Sequence, residues 1–147
     1  LAYRQSPDPT SGDLSIYFSR KIKVKVAIIL LSDPKSGGEE ALGRVFNGLA
    51  AAYDFDKRGV PVSIYFQGAA TRWPAVLEQL EHPVHPLFMG VQKNVVGVSC
   101  GCADVFGARA SVENSGYALI TDNSIPGTSG LPSVSKLMAD GFTVLTF

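Results

Sequence analysis

Val24-Lys25-Val26-Ala27-Ile28-Ile29-Leu30-Leu31, running straight into Ser32-Asp33-Pro34-Lys35-Ser36-Gly37-Gly38, is the stretch on which the fold turns. The first part is β-branched and almost continuously apolar, the pattern of a strand buried on both faces. The second holds proline, aspartate, serines and glycines, a composition that turns the chain. Beyond it Leu42, Val45, Phe46, Leu49 and Tyr53 fall on one helical face. Glu39 and Glu40 near the start of that helix and Lys57 and Arg58 near its end complement its dipole, and Gly59 stops it.

The same alternation continues to the last residue. Val62 to Phe66 is a second strand, with Pro61 at its boundary. Gln67 to Trp73 reads as a loop, and Pro74 suits the first position of a short helix ending near Leu80. The prolines of His82 to Pro86 break that helix before another, Leu87 to Gln92. Val95 to Ser99 is a third strand, and Cys100 to Asp104 turns into a helix running to about Asn114. Tyr117 to Ile120 is a fourth strand, Thr121 to Gly130 a long polar loop, Val134 to Ala139 a helix and Phe142 to Thr146 a fifth strand. Strands interleaved with helices predict an α/β three-layer sandwich around a mostly parallel five-stranded sheet. In such sheets ligands bind beyond the carboxyl ends of the strands. Four loops therefore share one rim: Ser32 to Gly38, Gln67 to Trp73, Ser99 to Asp104 and Thr121 to Gly130.

Residues 1–22 read differently, as an arm or extension in which Leu14 to Phe18 is a short strand or a partner contact; residues 23–147 form one domain. The 147 residues are 46% hydrophobic and 18% charged, enough to bury a core and too apolar for disorder. Thirteen basic side chains balance thirteen acidic ones, so no global field selects nucleic acid or an anionic membrane. The longest apolar run, Val26 to Leu31, is too short to cross a bilayer. No secretion signal stands out. Two cysteines one residue apart are not a disulfide framework, and a reducing cytoplasm is the expected setting.

Those cysteines lie in Ser99-Cys100-Gly101-Cys102-Ala103-Asp104, where the third strand gives way to a helix. A helix N-terminus favours a thiolate, the form that attacks sulfur, and Gly101 lets the backbone turn between the two thiols. Asp104 is placed to cap the helix. The other reading makes both cysteines small buried core residues. A disulfide within Cys-Gly-Cys closes a strained ring. No metal is expected, because two close thiols with His82 and His85 match no zinc spacing. Thr71-Arg72-Trp73 sets a guanidinium beside an indole on the same rim, either holding an anionic substrate or steadying a thiolate, or simply stacked on Trp73. The Ser32 to Gly38 loop precedes a helix N-terminus but lacks the nucleotide-binding glycine spacings. Thr121 to Gly130 is a lid or a long turn.

From Val24 to Phe147 the chain resembles the DsrE/TusD-like family of small sulfur-relay proteins. The residues that carry the resemblance are Val26 to Leu31 leading into the Glu39-Glu40-Ala41-Leu42 helix, Val62 to Phe66 followed by Gln67-Gly68-Ala69-Ala70, and Val95 to Cys102 ahead of Phe106-Gly107-Ala108. The resemblance implies a flavodoxin-like, DsrE-like sheet and a cysteine that carries a persulfide at the strand-to-helix turn. Cys100 matches the first and Cys102 the second cysteine of the pairs found in many relatives. It also implies a homo-oligomer, a trimer or hexamer; Tyr17, Phe18, Trp73, Phe88 and Phe106 lie in or beside loops, either packing into a partner surface or singly exposed as aromatics often are. Two functions follow. One is a cofactor-free sulfur carrier using Cys100 or Cys102, with Arg72, Gly101 and Gly68 around the sulfur and with donor and acceptor proteins as partners. The other is an oligomeric module that binds a small anionic or nucleotide-like ligand, with the cysteines as bystanders.

Overall fold

The computed structural model describes residues 23–147; the arm, the strand or contact at Leu14 to Phe18, and Tyr17 and Phe18 lie outside the described residues. Strand β1 is Lys25–Leu30. Helix α1, Gly38–Lys57, follows and ends at Gly59, where the Val60 N–H reaches the Phe55 carbonyl and the Gly59 N–H that of Asp56. That pair of bonds satisfies the last carbonyls of the helix. Then come β2 (Val62–Phe66), a 3-10 turn (Gly68–Arg72), α2 (Trp73–Leu77) and α3 (His85–Val91). Strand β3 (Val95–Ser99) leads into α4 (Cys100–Val105) and α5 (Arg109–Ser115). The chain closes with β4 (Leu119–Ile120), α6 (Val134–Ala139) and β5 (Phe142–Thr146). Among the described residues no helix is long and apolar enough to cross a membrane.

The five strands lie in the order β4-β3-β2-β1-β5, and every pairing is parallel. From β1 to β4 the chain steps steadily one way, so right-handed crossovers stack α1 to α5 on one face. The return from edge strand β4 to edge strand β5 runs the opposite way and brings α6 onto the other face. The cores agree with this. Val26, Ile28, Leu30, Ile64, Phe66 and Val98 point toward Val45 and Leu49 of α1 and Phe88 of α3, whereas Ala27, Ile29 and Tyr65 meet Leu137 of α6. Alternate residues of one strand thus serve opposite faces, as the pleat requires. The chain leaves β3 toward one face and β4 toward the other, the topological switch at whose carboxyl ends an open parallel sheet usually places a ligand site. Cys100 stands at the end of β3 there.

Several expectations need correcting. Helix α1 buries Ala41, Val45, Gly48, Leu49 and Ala52, while Phe46 and Tyr53 are about half exposed. Small residues decide this: a Cβ on Gly48 would stand 2.4 Å from Leu30 and 3.2 Å from the Phe147 ring, so the helix lies close against β1. Trp73 and Phe88 are not loop aromatics open to a partner; both are buried in the core. Gln67 to Trp73 is largely a 3-10 turn rather than a plain loop. The single helix expected after Cys100 is two, parted at Phe106 to Ala108. Gly107 takes a φ of +70°, which ends α4, and the Ala108 N–H closes on the Ala103 carbonyl at 2.8 Å.

Candidate functional site

The candidate site is assembled from the end of β3, the start of α4 and the loop after β4. Ser99, fully buried, caps α4: its hydroxyl accepts the Cys102 N–H at 3.4 Å. Asp104, expected at that cap, points elsewhere. Both cysteines are free thiols, Cys100 only 4% exposed and Cys102 half-buried. The turn at Gly107 folds the first residue of α5 back over α4, and the Arg109 Nη2 donates to Cys100 Sγ at 3.1 Å. Asp104 grips the same guanidinium in a fork, through Nε and through Nη2 at 3.1 Å, and Glu113 accepts from Nη1 at 3.3 Å. The Ser129 hydroxyl from the loop after β4 also donates to Asp104.

These contacts hold the Asp104 carboxyl down at about 2, the Arg109 hydrogen bonds first and Ser129 next, while Asp104 raises Arg109 further above its already high value. A depressed carboxylate contributes above its ordinary value of 3.8 and loses that contribution as pH falls through about 2. The pair is therefore fully ionised at neutral pH. It is also about two-fifths exposed on each side, so it adds little to stability. Two carboxylates share the guanidinium, which spends part of its charge. What the arrangement supplies at Sγ is a fixed, directional N–H donor more than a strong field.

The loop after β4 lies on this assembly. The Gly101 N–H donates to the Gly130 carbonyl at 2.7 Å, and Asn123 and Leu131 exchange backbone hydrogen bonds, so the loop doubles back over the first turn of α4. A Cβ at Gly101 would meet Leu131 Cδ1 at 2.9 Å and the Gly130 carbonyl at 3.1 Å. Gly101→Val is accordingly expected to lift the loop and cost about 1–3 kcal/mol, as overpacking of close contacts does. Urea unfolding reads this directly, and an unchanged midpoint would mean that the loop yields without resistance.

Arg72 is not at the thiols. Its Nε donates to the Phe106 carbonyl at 2.9 Å, its Nη1 to Asp33 at 3.0 Å, and its guanidinium lies 5.5 Å from the centre of the Phe106 ring. Of the readings of Arg72, the stack on Trp73 gives way to Phe106: the indole is buried and its N–H donates to the Ser32 carbonyl at 2.9 Å. Arg72 borders a separate cleft of about 440 Å3 between the loop after β1, α2 and the turn at Phe106 to Ala108; neither cysteine lines it. Gly68, with a φ of +61°, starts the 3-10 turn, and its carbonyl accepts from Thr71. His82 and His85 serve local bonds, to the Val84 N–H and the Leu77 carbonyl. Among the described residues no three of His, Cys, Asp and Glu gather as a metal set.

The residue that sequence reasoning missed is Arg109. In one continuous helix, residues 104 and 109 stand ~140° apart and 100 and 109 ~180° apart, so the pattern gave no hint of contact. The break at Gly107 brings them together. The available signal was a glycine after Phe106 that ends a helix rather than riding within it.

No family model matches the chain, and no curated protein matches it. Among solved structures, the crystal structure of the ychN protein from E. coli is similar, with 18% identity and a TM-score of 0.48 over 84% of this chain and 100% of that one.

Proposed function

We propose that the protein is a sulfur carrier in which Cys100 receives sulfane sulfur as a persulfide and passes it on. The observation that supports this is the Arg109 N–H aimed at Cys100 Sγ, held by Asp104 and Glu113 at the carboxyl end of β3. The Cys100 thiolate attacks the outer sulfur of a donor persulfide, R–S–SH. A new S–S bond forms, the donor's S–S bond breaks, and the donor leaves as a thiolate that takes up the proton of the transferred sulfur. An acceptor thiolate then attacks the outer sulfur on Cys100, and Cys100 returns as a thiolate. Electrons balance in each transfer, and neither step calls for a cofactor. Arg109 replaces Arg72 as the group beside the sulfur, where its N–H meets the negative charge carried by the terminal atom.

The resemblance in sequence adds a trimer or hexamer of this chain, with donor and acceptor proteins that dock in turn. Val105, at the end of α4 and 73% exposed, offers such a partner an apolar contact beside the site. The test is the mass of the intact chain after incubation with a small-molecule persulfide. Wild type gains one sulfur atom. Arg109→Gln gains it about ten times more slowly, the scale of losing one charge-assisted hydrogen bond. Equal rates would remove Arg109 from the site, and no gain in either would remove the carrier function.

A further inference from the structure

We infer that the cleft beside Arg72 is a second, cysteine-independent site, built for a small mono-anion with an apolar body. Its volume of about 440 Å3 lies within the range of small-molecule sites. Leu42 of α1, Val76 of α2 and Ala108 of the turn after α4 give it apolar walls from three separate elements. Lys35, Arg72, His82 and Ser111 give it polar groups. Arg72 spends Nε on the Phe106 carbonyl and Nη1 on Asp33, while its Nη2 makes no hydrogen bond among the described residues. Asp33 accepts from the Lys35 N–H, the Ser36 hydroxyl and Arg72. His82 accepts the Val84 N–H at Nδ1, which puts the proton of the neutral ring on Nε2.

Charge selects the ligand. Arg72 and Asp33 cancel as a part-buried pair. Lys35 lines the cleft and belongs to no ion pair among the described residues, which leaves one positive charge in excess. One carboxylate or sulfonate matches it, with the free Arg72 Nη2 as a second donor. A second negative charge on the ligand would find no cation left to meet it, because Arg72 is already paired with Asp33. A bare inorganic anion would leave the apolar walls wet. The site is distinct from the sulfur proposal, and each fails on its own readout.

Calorimetric titration of the full chain with 1-naphthoate and with its neutral counterpart, 1-naphthylmethanol, tests the inference. Naphthoate is expected to saturate one site and to bind about tenfold more tightly than the alcohol, the value of a charge-assisted bond. Lys35→Gln weakens it by about two- to fivefold, since the ammonium is exposed. Ala75→Phe, a change at an exposed wall position, fills the cleft and abolishes binding; a melting curve confirms that this variant folds, and Lys35→Gln decides if it does not. Cys100→Ser binds as wild type does. Equal affinity for acid and alcohol, no saturable binding of naphthoate, full binding in Ala75→Phe, or binding lost with Cys100 would each overturn the inference.

Discussion

Cys100→Ser is expected to take up less than about a hundredth of the sulfur that wild type accepts, while Cys102→Ser loads at near the wild-type rate. The two thiols are one residue apart, yet their surroundings differ. Cys100 follows directly on β3, and its Sγ receives the Arg109 N–H at 3.1 Å. Cys102 is more exposed and easier to reach, but the bond that fixes its position is made by its backbone N–H to Ser99. Exposure favours Cys102 as the faster thiol toward a generic alkylating reagent. A fixed donor at the sulfur favours Cys100 as the thiol that keeps a persulfide. The measurement therefore pairs intact mass after persulfide treatment with alkylation rates on both single variants. Sulfur retained only when Cys102 is present would transfer the role to Cys102. Sulfur on neither would make both thiols structural and leave the cleft beside Arg72 as the working site.

How far the sequence could be read depended on whether local signals agreed with packing. Strands β2, β3 and β5 and helix α6 occur at the residues expected, because each is an apolar or amphipathic run bounded by proline, glycine or a polar turn. Strand β4 is shorter than Tyr117 to Ile120. The Tyr117 hydroxyl donates to Glu78 at 2.9 Å and accepts from Gln92 at 2.8 Å, contacts with distant elements that draw its residue out of the ladder. The cysteine turn was legible as a place, since β-branched residues followed by Ser-Cys-Gly-Cys mark the end of a strand and the start of a helix. Its chemistry was not, because Arg109 arrives only through a helix break that periodicity smooths over. The partners of Arg72 were hidden for a related reason: it ends the 3-10 turn and Trp73 opens α2, so the indole is buried while the guanidinium turns to Asp33 and Phe106.

The rotation of α1 provides the sharpest test of the packing, because two residues of one type change places in importance. Phe66 ends β2 fully buried, its ring 6.2 Å from Phe88 at 80°, an edge-to-face contact in the centre of the larger core. Phe46, on the helical face that periodicity assigns to the core, is 48% exposed. Phe66→Ala is expected to cost about 3–5 kcal/mol, a large share of the ~5–15 kcal/mol that holds a domain together. That corresponds to a fall of roughly 10–20 °C in Tm for a domain of this size. Phe46→Ala removes the same atoms and is expected to stay within about 0.5 kcal/mol, as surface changes do. Urea midpoints of the two variants decide between the helical faces. A large loss at Phe46 would mean that this half-open face is covered when chains meet. The Tm of wild type would then rise with protein concentration and that of Phe46→Ala would not, since only an assembled state gains stability by mass action. Equal losses without that concentration dependence would instead return Phe46 to the core and overturn the rotation of α1 set by Gly48 against Leu30.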